Sequence, residues 1–417
     1  MTHPSRYGLL GLPLAFLALP LYVSLPAYYA SEYGMALSTL GALLLFARFI
    51  DAALDPLIGR WSDGWLRPGR VGPIVMVAAV VMFVAFAGLF FPPGLKDAAL
   101  VAWAAVMLVL GYIAFSVVSV THQAWGARLG GNAVQQTRLV AWREGLALVG
   151  VLMASVLISQ VGWGITTATL AVFLALGLWS LLASPLPANA NYAEPVRWGL
   201  PWRTPAFRKL LLVYAVNGIA AAVPATVLLF FVRDRLQAPQ YEALFLVAYF
   251  AAAAASMPLW LRLVARLGQA RAWLLGMALA VVSFVWAALL GQGDVAAFVA
   301  ICLATGVAAG ADLAIPGAML TRVVQTAGLA GRAEGAFFGW WNAATKLNLA
   351  LAAGLALPLL QVLGYQEGVQ NAASAHALSF VYALVPCALK LLAMLLLWWL
   401  WVRPYPHVIT TPSELMP

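Results

Sequence analysis

The run Arg48-Phe49-Ile50-Asp51-Ala52-Ala53-Leu54-Asp55-Pro56 places a base and two acids inside an apolar stretch that covers about residues 36–60. Offsets of 3, 4 and 7 residues put Arg48, Asp51 and Asp55 on one stripe of a helix. A charge at the centre of a bilayer costs roughly 2.5 to 3.5 kcal/mol on insertion scales, so such residues face a cavity and mark an ion or substrate path. The stripe therefore reads as the coupling-ion site of a transporter.

The rest of the chain supports a membrane setting. Its 417 residues are 64% hydrophobic and 9% charged, with a mean hydropathy of +0.93, beyond what a water-soluble domain tolerates. Apolar spans of helical length fall at about 8–30, 36–60, 72–92, 98–121, 137–160, 163–184, 207–231, 240–264, 271–291, 295–320, 333–361 and 376–402, which predicts twelve transmembrane helices. Of the 23 Lys and Arg, 17 fall near one side and 3 near the other, while Arg48, Lys346 and Lys390 lie within the membrane. By the positive-inside rule both termini are cytoplasmic. The net charge of +9 is accounted for by this topology and by anionic headgroups, so no nucleic acid is expected. The first apolar span lacks a cleavage region and reads as a retained helix. Cys302 and Cys387 sit in apolar spans as small hydrophobes, without a disulfide framework.

A polar stretch at 185–206 divides the chain. It predicts a six-helix bundle at 1–184, a cytoplasmic linker, a second bundle at 207–403 and a cytoplasmic tail at 404–417. The halves carry a weak repeat: Asp55-Pro56-Leu57 with Arg60, Gly69 and Arg70 parallels Met257-Pro258-Leu259 with Arg262, Gly268 and Arg271. Repeated six-helix halves are the plan of the major facilitator architecture, with substrate held near the midplane between them. At the repeat positions Ala253 and Met257 stand for Asp51 and Asp55, so the fold itself does not need those acids. The segment from Gly59 to Arg70, with Asp63 and Arg70, reads as the short cytoplasmic loop between helices 2 and 3. There Asp63 can meet a helix N-terminus or a neighbouring arginine and lock a gate.

Several segments together resemble the glycoside-pentoside-hexuronide:cation symporters, the branch of that superfamily with melibiose permeases and lysophospholipid carriers. Ala47-Arg48-Phe-Ile-Asp51-Ala-Ala-Leu-Asp55-Pro56-Leu-Ile-Gly59 matches the family's paired cation-binding acids. Arg332-Ala-Glu334-Gly335, with Lys346 beyond it, is similar to the opening of helix 11 and its intramembrane lysine. Val140-Ala-Trp142-Arg143 stands where relatives carry a substrate-facing arginine. Trp202-Arg203-Thr-Pro205-Ala-Phe207-Arg208 resembles the lead into helix 7. The departures are also specific. Phe16 and Ser119 stand near the places of two sugar-binding acids, and Leu54 replaces an amide that meets sodium.

The expectation is a monomeric, multi-pass inner-membrane symporter that moves a glycoside or sugar acid by alternating access. Its coupling ion is a proton or sodium, and the missing amide tilts the choice toward protons. Asp51, Asp55, Ser116 and Lys346 are the expected cation-coupling residues. Arg143, Ser119, His122, Gln123, Trp125 and Trp341 are the substrate-facing candidates. Arg48, Asp63, Arg70, Glu144, Asp312, Arg332 and Glu334 are the gating candidates, with Asp312 a prospective partner of Arg143. No Walker loop, His-Glu-x-x-His motif or Gly-x-Ser-x-Gly elbow occurs, so no enzyme, cofactor or metal is expected. Two alternatives stay open: a carrier of lysolipid or another amphipath, and a sensor or assembly factor that keeps the fold without transport.

Overall fold

A computed structural model describes residues 4–67, 69–184, 197–366 and 372–404, and those residues contain helices and turns without a strand. The helices are α1 (4–33, interrupted near residues 9–10), α2 (Leu37–Trp65), α3 (Val71–Phe90), α4 (Asp97–Arg128), α5 (Ala133–Ile158) and α6 (Gln160–Leu182). After a short helix at Leu200–Arg203 follow α7 (Pro205–Arg235), α8 (Pro239–Leu267), α9 (Gln269–Leu289), α10 (Val295–Thr326), α11 (Glu334–Val362) and α12 (Ala373–Val402). Ten of these, α3 to α12, are long and apolar enough to cross a membrane. The expected linker lies outside the described residues as far as 196, and the expected tail does so from 405.

Helix hydrogen bonding does not depend on apolar side chains, so helices outlast the hydrophobic runs. α2 continues to Trp65, α4 to Arg128 and α10 to Thr326. The expected loop from Gly59 to Arg70 is therefore corrected: Asp63 is helical, and the helix runs on to Trp65. The α4–α5 turn is made by Gly130 and Gly131, at φ of 71° and 97°, a region closed to most L-residues. Asn132 then caps α5 reciprocally with Gln135. α5 and α6 follow one another without a loop, and Gly162, with a φ of 78°, kinks the chain in the first turn of α6.

α1 packs along α5 and α6, while α2 and α3 pack on α4. In the second half α8 and α9 pack on α10, and α7 packs on α11 and α12. The two bundles meet where α2 and α4 touch α11 and where the α5–α6 stretch touches α8 and α10. We call the end with turns 66–70, 129–132, 267–268 and 327–333 the base, and the other end distal. At the base α2 and α11 meet backbone to backbone, because a Cβ at Gly59, Gly335 or Gly339 would overlap the facing chain. Distally, α11 exposes Leu347, Leu349, Leu351 and Leu355. Neighbouring positions two apart point to opposite faces of a helix, so α11 is uncovered on two sides there.

Candidate functional site

The apolar surroundings of α2 leave its acids only buried partners, and α11 supplies one. Lys346 Nζ lies 2.6 Å from Asp51 Oδ1 and 2.8 Å from Asp55 Oδ2. It donates to Asp55 Oδ1 at 2.9 Å and to Ser116 Oγ at 2.8 Å. Ser116 Oγ in turn donates to Asp51 Oδ1 at 2.7 Å. Both acids are fully buried. Lys346 is thus one ammonium shared by two carboxylates. Asp51 Oδ2 accepts no hydrogen bond, and Asp55 Oδ2 meets Lys346 as a charge contact without hydrogen-bond geometry. Buried acceptors are usually satisfied, and an unspent carboxylate oxygen beside a second carboxylate has the chemistry to hold a proton or a small cation.

A cavity of about 270 Å³ adjoins this cluster. Arg48, Ser116, Ser119, Asn342, Thr345 and Lys346 line it, with Phe115 and Leu349. Gln123 joins two of these lining residues, donating to Ser119 Oγ at 3.2 Å and across the bundles to Asn342 Oδ1 at 3.1 Å. Arg48 also stands beside the Tyr112 hydroxyl. Tyr214 and Thr345 share a hydrogen bond of 2.8 Å, and Trp341 stacks on Tyr214 with centroids 3.7 Å apart.

At the base a second charged cluster ties the bundles. Arg128 is held by Asp63 Oδ1 and Glu334 Oε2, each at 3.0 Å, and donates to the Leu66 carbonyl at 2.9 Å. Asp63 also accepts the first-turn amides of α11, from Gly335 at 2.8 Å and Ala336 at 2.9 Å. A carboxylate at a helix N-terminus meets unsatisfied N–H groups and the positive end of the helix dipole. Asp63 thus contacts both a helix end and an arginine. Beside this lock, Gln269 of α9 donates to Thr137 Oγ1 of α5 at 3.2 Å.

Other sequence candidates fall elsewhere. His122 faces α1, its Nε2 2.8 Å from the Tyr7 carbonyl while the Tyr7 hydroxyl donates to the His122 carbonyl. Trp125 is 1% exposed in the core of the N-terminal bundle. Both are packing residues in this structure, and neither lines the cavity. Trp341 is buried behind Tyr214. Arg143 pairs with its neighbour Glu144, so the pair stays within one bundle and does not bridge the gate. Asp312 does not reach Arg143: Lys390, Asn217 and Trp273 hold it. Arg70 and Arg332 are exposed and stand outside the lock. The sequence reading missed Arg128, Asn342, Thr345 and Tyr214. Asn342 lies one helical turn from Lys346, and that spacing was the available signal.

Comparison with known proteins fits this architecture. A family model described as MFS/sugar transport protein matches residues 6–402. The inner membrane symporter YicJ of Escherichia coli (strain K12) is 23% identical over 240 residues, 53% of this chain and 52% of that protein. YagG of the same organism, named for glycoside/cation symport, is 25% identical over 169 residues, 39% of this chain and 37% of its own length. The chain thus spans about half, or less, of the length of these curated relatives. Among solved structures, a bacterial homologue of the iron transporter ferroportin in an outward-facing state superposes with a TM-score of 0.70. That match covers 95% of this chain and 98% of the other at 18% identity, a likeness of fold.

Proposed function

The chain belongs to the MFS/sugar transport family, and on that premise we propose that it is a secondary active transporter coupling a cation to the movement of a small polar solute. The solute class is a glycoside or sugar acid; YagG, named for glycoside/cation symport, supports that class, and YicJ, named a symporter, supports symport. One observation carries the reading: Lys346 of one bundle is shared by Asp51 and Asp55 of the other, beside a polar cavity.

The base, rich in arginine, faces the cytoplasm, and all of α1–α12 cross the inner membrane. The lock then closes the cytoplasmic side, and the distal gap between the bundles opens outward. A cation that loads the Asp51–Asp55 pair competes with Lys346 for the same oxygens. Lys346 is released from α2, and the tie between the bundles weakens at mid-height. Coupling follows because the loaded pair favours one arrangement of the bundles over the other. A proton suits the site better than sodium, since Leu54 adds no oxygen to the two acids and Ser116. Solute reaches the cavity through the distal gap and is held by Arg48, Ser119, Gln123 and Asn342. These walls favour a polar solute over a lysolipid, and buried charge across a parting seam favours transport over a sensing scaffold. One chain supplies both halves of the site, which fits a monomer.

The test is uptake by proteoliposomes challenged with glycosides, hexuronates and lysolipids under a proton or sodium gradient. Ion flux that depends on a sugar and disappears in Asp55→Asn supports the reading. Equal behaviour of wild type and variant with every solute overturns it.

A further inference from the structure

The C-terminal bundle holds a cavity of about 310 Å³ that lies between α7, α8, α9, α10 and α12 and is lined by no residue of the first bundle or of α11. It is therefore separate from the inter-bundle cavity. Rings of Phe245, Tyr249, Phe250, Phe284 and Tyr382 form much of its wall. Two charged side chains interrupt that wall, Asp312 and Lys390, and their contacts are unequal. Asp312 is filled: Oδ1 accepts from Asn217 Nδ2 at 3.1 Å and Trp273 Nε1 at 2.8 Å, and Oδ2 accepts from Lys390 Nζ at 2.6 Å. Lys390 is not filled. An ammonium has three N–H donors, and Asp312 takes the one hydrogen bond found for it among the described residues.

Lys390 is 8% exposed and lines this cavity, so its remaining donors are largely withheld from bulk water. The Tyr249 ring and its hydroxyl stand on the same wall. Unspent donors beside a saturated acid call for an acceptor and disfavour a cationic ligand. The aromatic chamber beyond them calls for an apolar body. At about 30 Å³ per heavy atom, a water molecule's share of liquid volume, the cavity takes roughly ten such atoms.

We propose that this cavity is a second ligand site, for a single-chain amphipathic carboxylate of about octanoate size. Its head accepts from Lys390 and Tyr249 and its chain lies among the rings. This inference stands apart from the transport reading. Asp312 Oδ1 keeps its hydrogen bonds from Asn217 and Trp273 when Lys390 is shared with the ligand.

Equilibrium binding of radiolabelled octanoate to the full chain in nanodiscs, with empty nanodiscs as blank, tests it. One saturable site per chain is expected, at which 1-octanol competes at least roughly tenfold more weakly. Lys390→Met weakens binding roughly tenfold or more, the loss of a charge-assisted hydrogen bond. Ala225→Phe, which fills the chamber from α7, abolishes binding and serves as the second variant if Lys390→Met misfolds. Asp55→Asn leaves binding intact, which separates this site from the inter-bundle one. Absence of saturable binding, equal competition by octanol, or binding that survives Ala225→Phe overturns the proposal.

Discussion

Arg128 and Lys346 are both cations held by two acids where the bundles meet, yet their clusters are finished to different degrees. Around Arg128, Asp63 accepts the guanidinium and two backbone amides, and Glu334 accepts the guanidinium and the Gly331 amide. No carboxylate oxygen there lacks a hydrogen bond. Around Lys346, two carboxylates share one ammonium and one hydroxyl, and two of their four oxygens make no hydrogen bond. A cluster with every valence filled can only hold or break. One with oxygens to spare can take up a cation and change its bonding without falling apart. On the proposed function the difference separates a lock from a switch, although the residue types are nearly the same.

Removing the lock's cation tests the comparison most severely. Arg128→Met leaves Asp63 and Glu334 buried without their partner, and a broken buried pair costs about 3–5 kcal/mol. We expect a marked fall in thermal unfolding temperature, together with faster labelling of a cysteine placed at Ser119 by a membrane-impermeant reagent added at the base. A stable Arg128→Met protein with a closed base would remove the distinction. Asp55→Asn acts on the switch and spares the lock. Ion-stimulated solute accumulation is expected to drop roughly 5- to 150-fold, the span of ordinary coupling free energies, with base accessibility unchanged.

Gly335→Ala probes the lock without altering charge. Its Cβ would overlap Ser62 Oγ and the Gly59 carbonyl, and overpacking of this kind costs about 1–3 kcal/mol. The calorimetric unfolding temperature should fall, and Gly145→Ala, where a Cβ meets open space, should not lower it. Ser116→Ala is the mildest change. It deletes one donor to Asp51 and one acceptor for Lys346, roughly 1 kcal/mol of hydrogen bonding. A severalfold shift in the ion concentration for half-maximal uptake is expected, and a larger effect on stability than on that concentration would place Ser116 in a structural role.

The sequence makes the switch conspicuous, because Asp51, Asp55 and Lys346 are charges in apolar spans and burial there is costly whatever the fold. The lock is half legible. Asp63 and Glu334 stand in recognisable surroundings, but Arg128 is one arginine among many that favour the same membrane side, and the positive-inside pattern hides it. The faces of α4 are not legible at all. That helix is apolar all round, so His122 and Trp125 look as suitable for a cavity as Ser116 and Ser119 do, and only packing against α1 tells them apart. The partner of Asp312 is likewise a tertiary fact: α10 and α12 meet far apart in sequence, and Lys390 carries no mark of its destination. Helix ends are misjudged at the base because hydropathy stops at the headgroups while backbone hydrogen bonding continues.

The capture of the α11 first turn by Asp63 gives that helix a fulcrum. Lys346 stands about 16 Å along the axis from Gly335, and Val362 about 40 Å along it, at 1.5 Å per residue. A tilt of about 10° about the pinned end swings the tip by roughly 7 Å but moves the ammonium by only about 3 Å. That smaller throw already carries a hydrogen bond past its working range. The helix is geared so that a wide motion at the mouth and the loss of a single short contact at mid-height are one displacement, and whatever unseats the lysine moves the mouth with it.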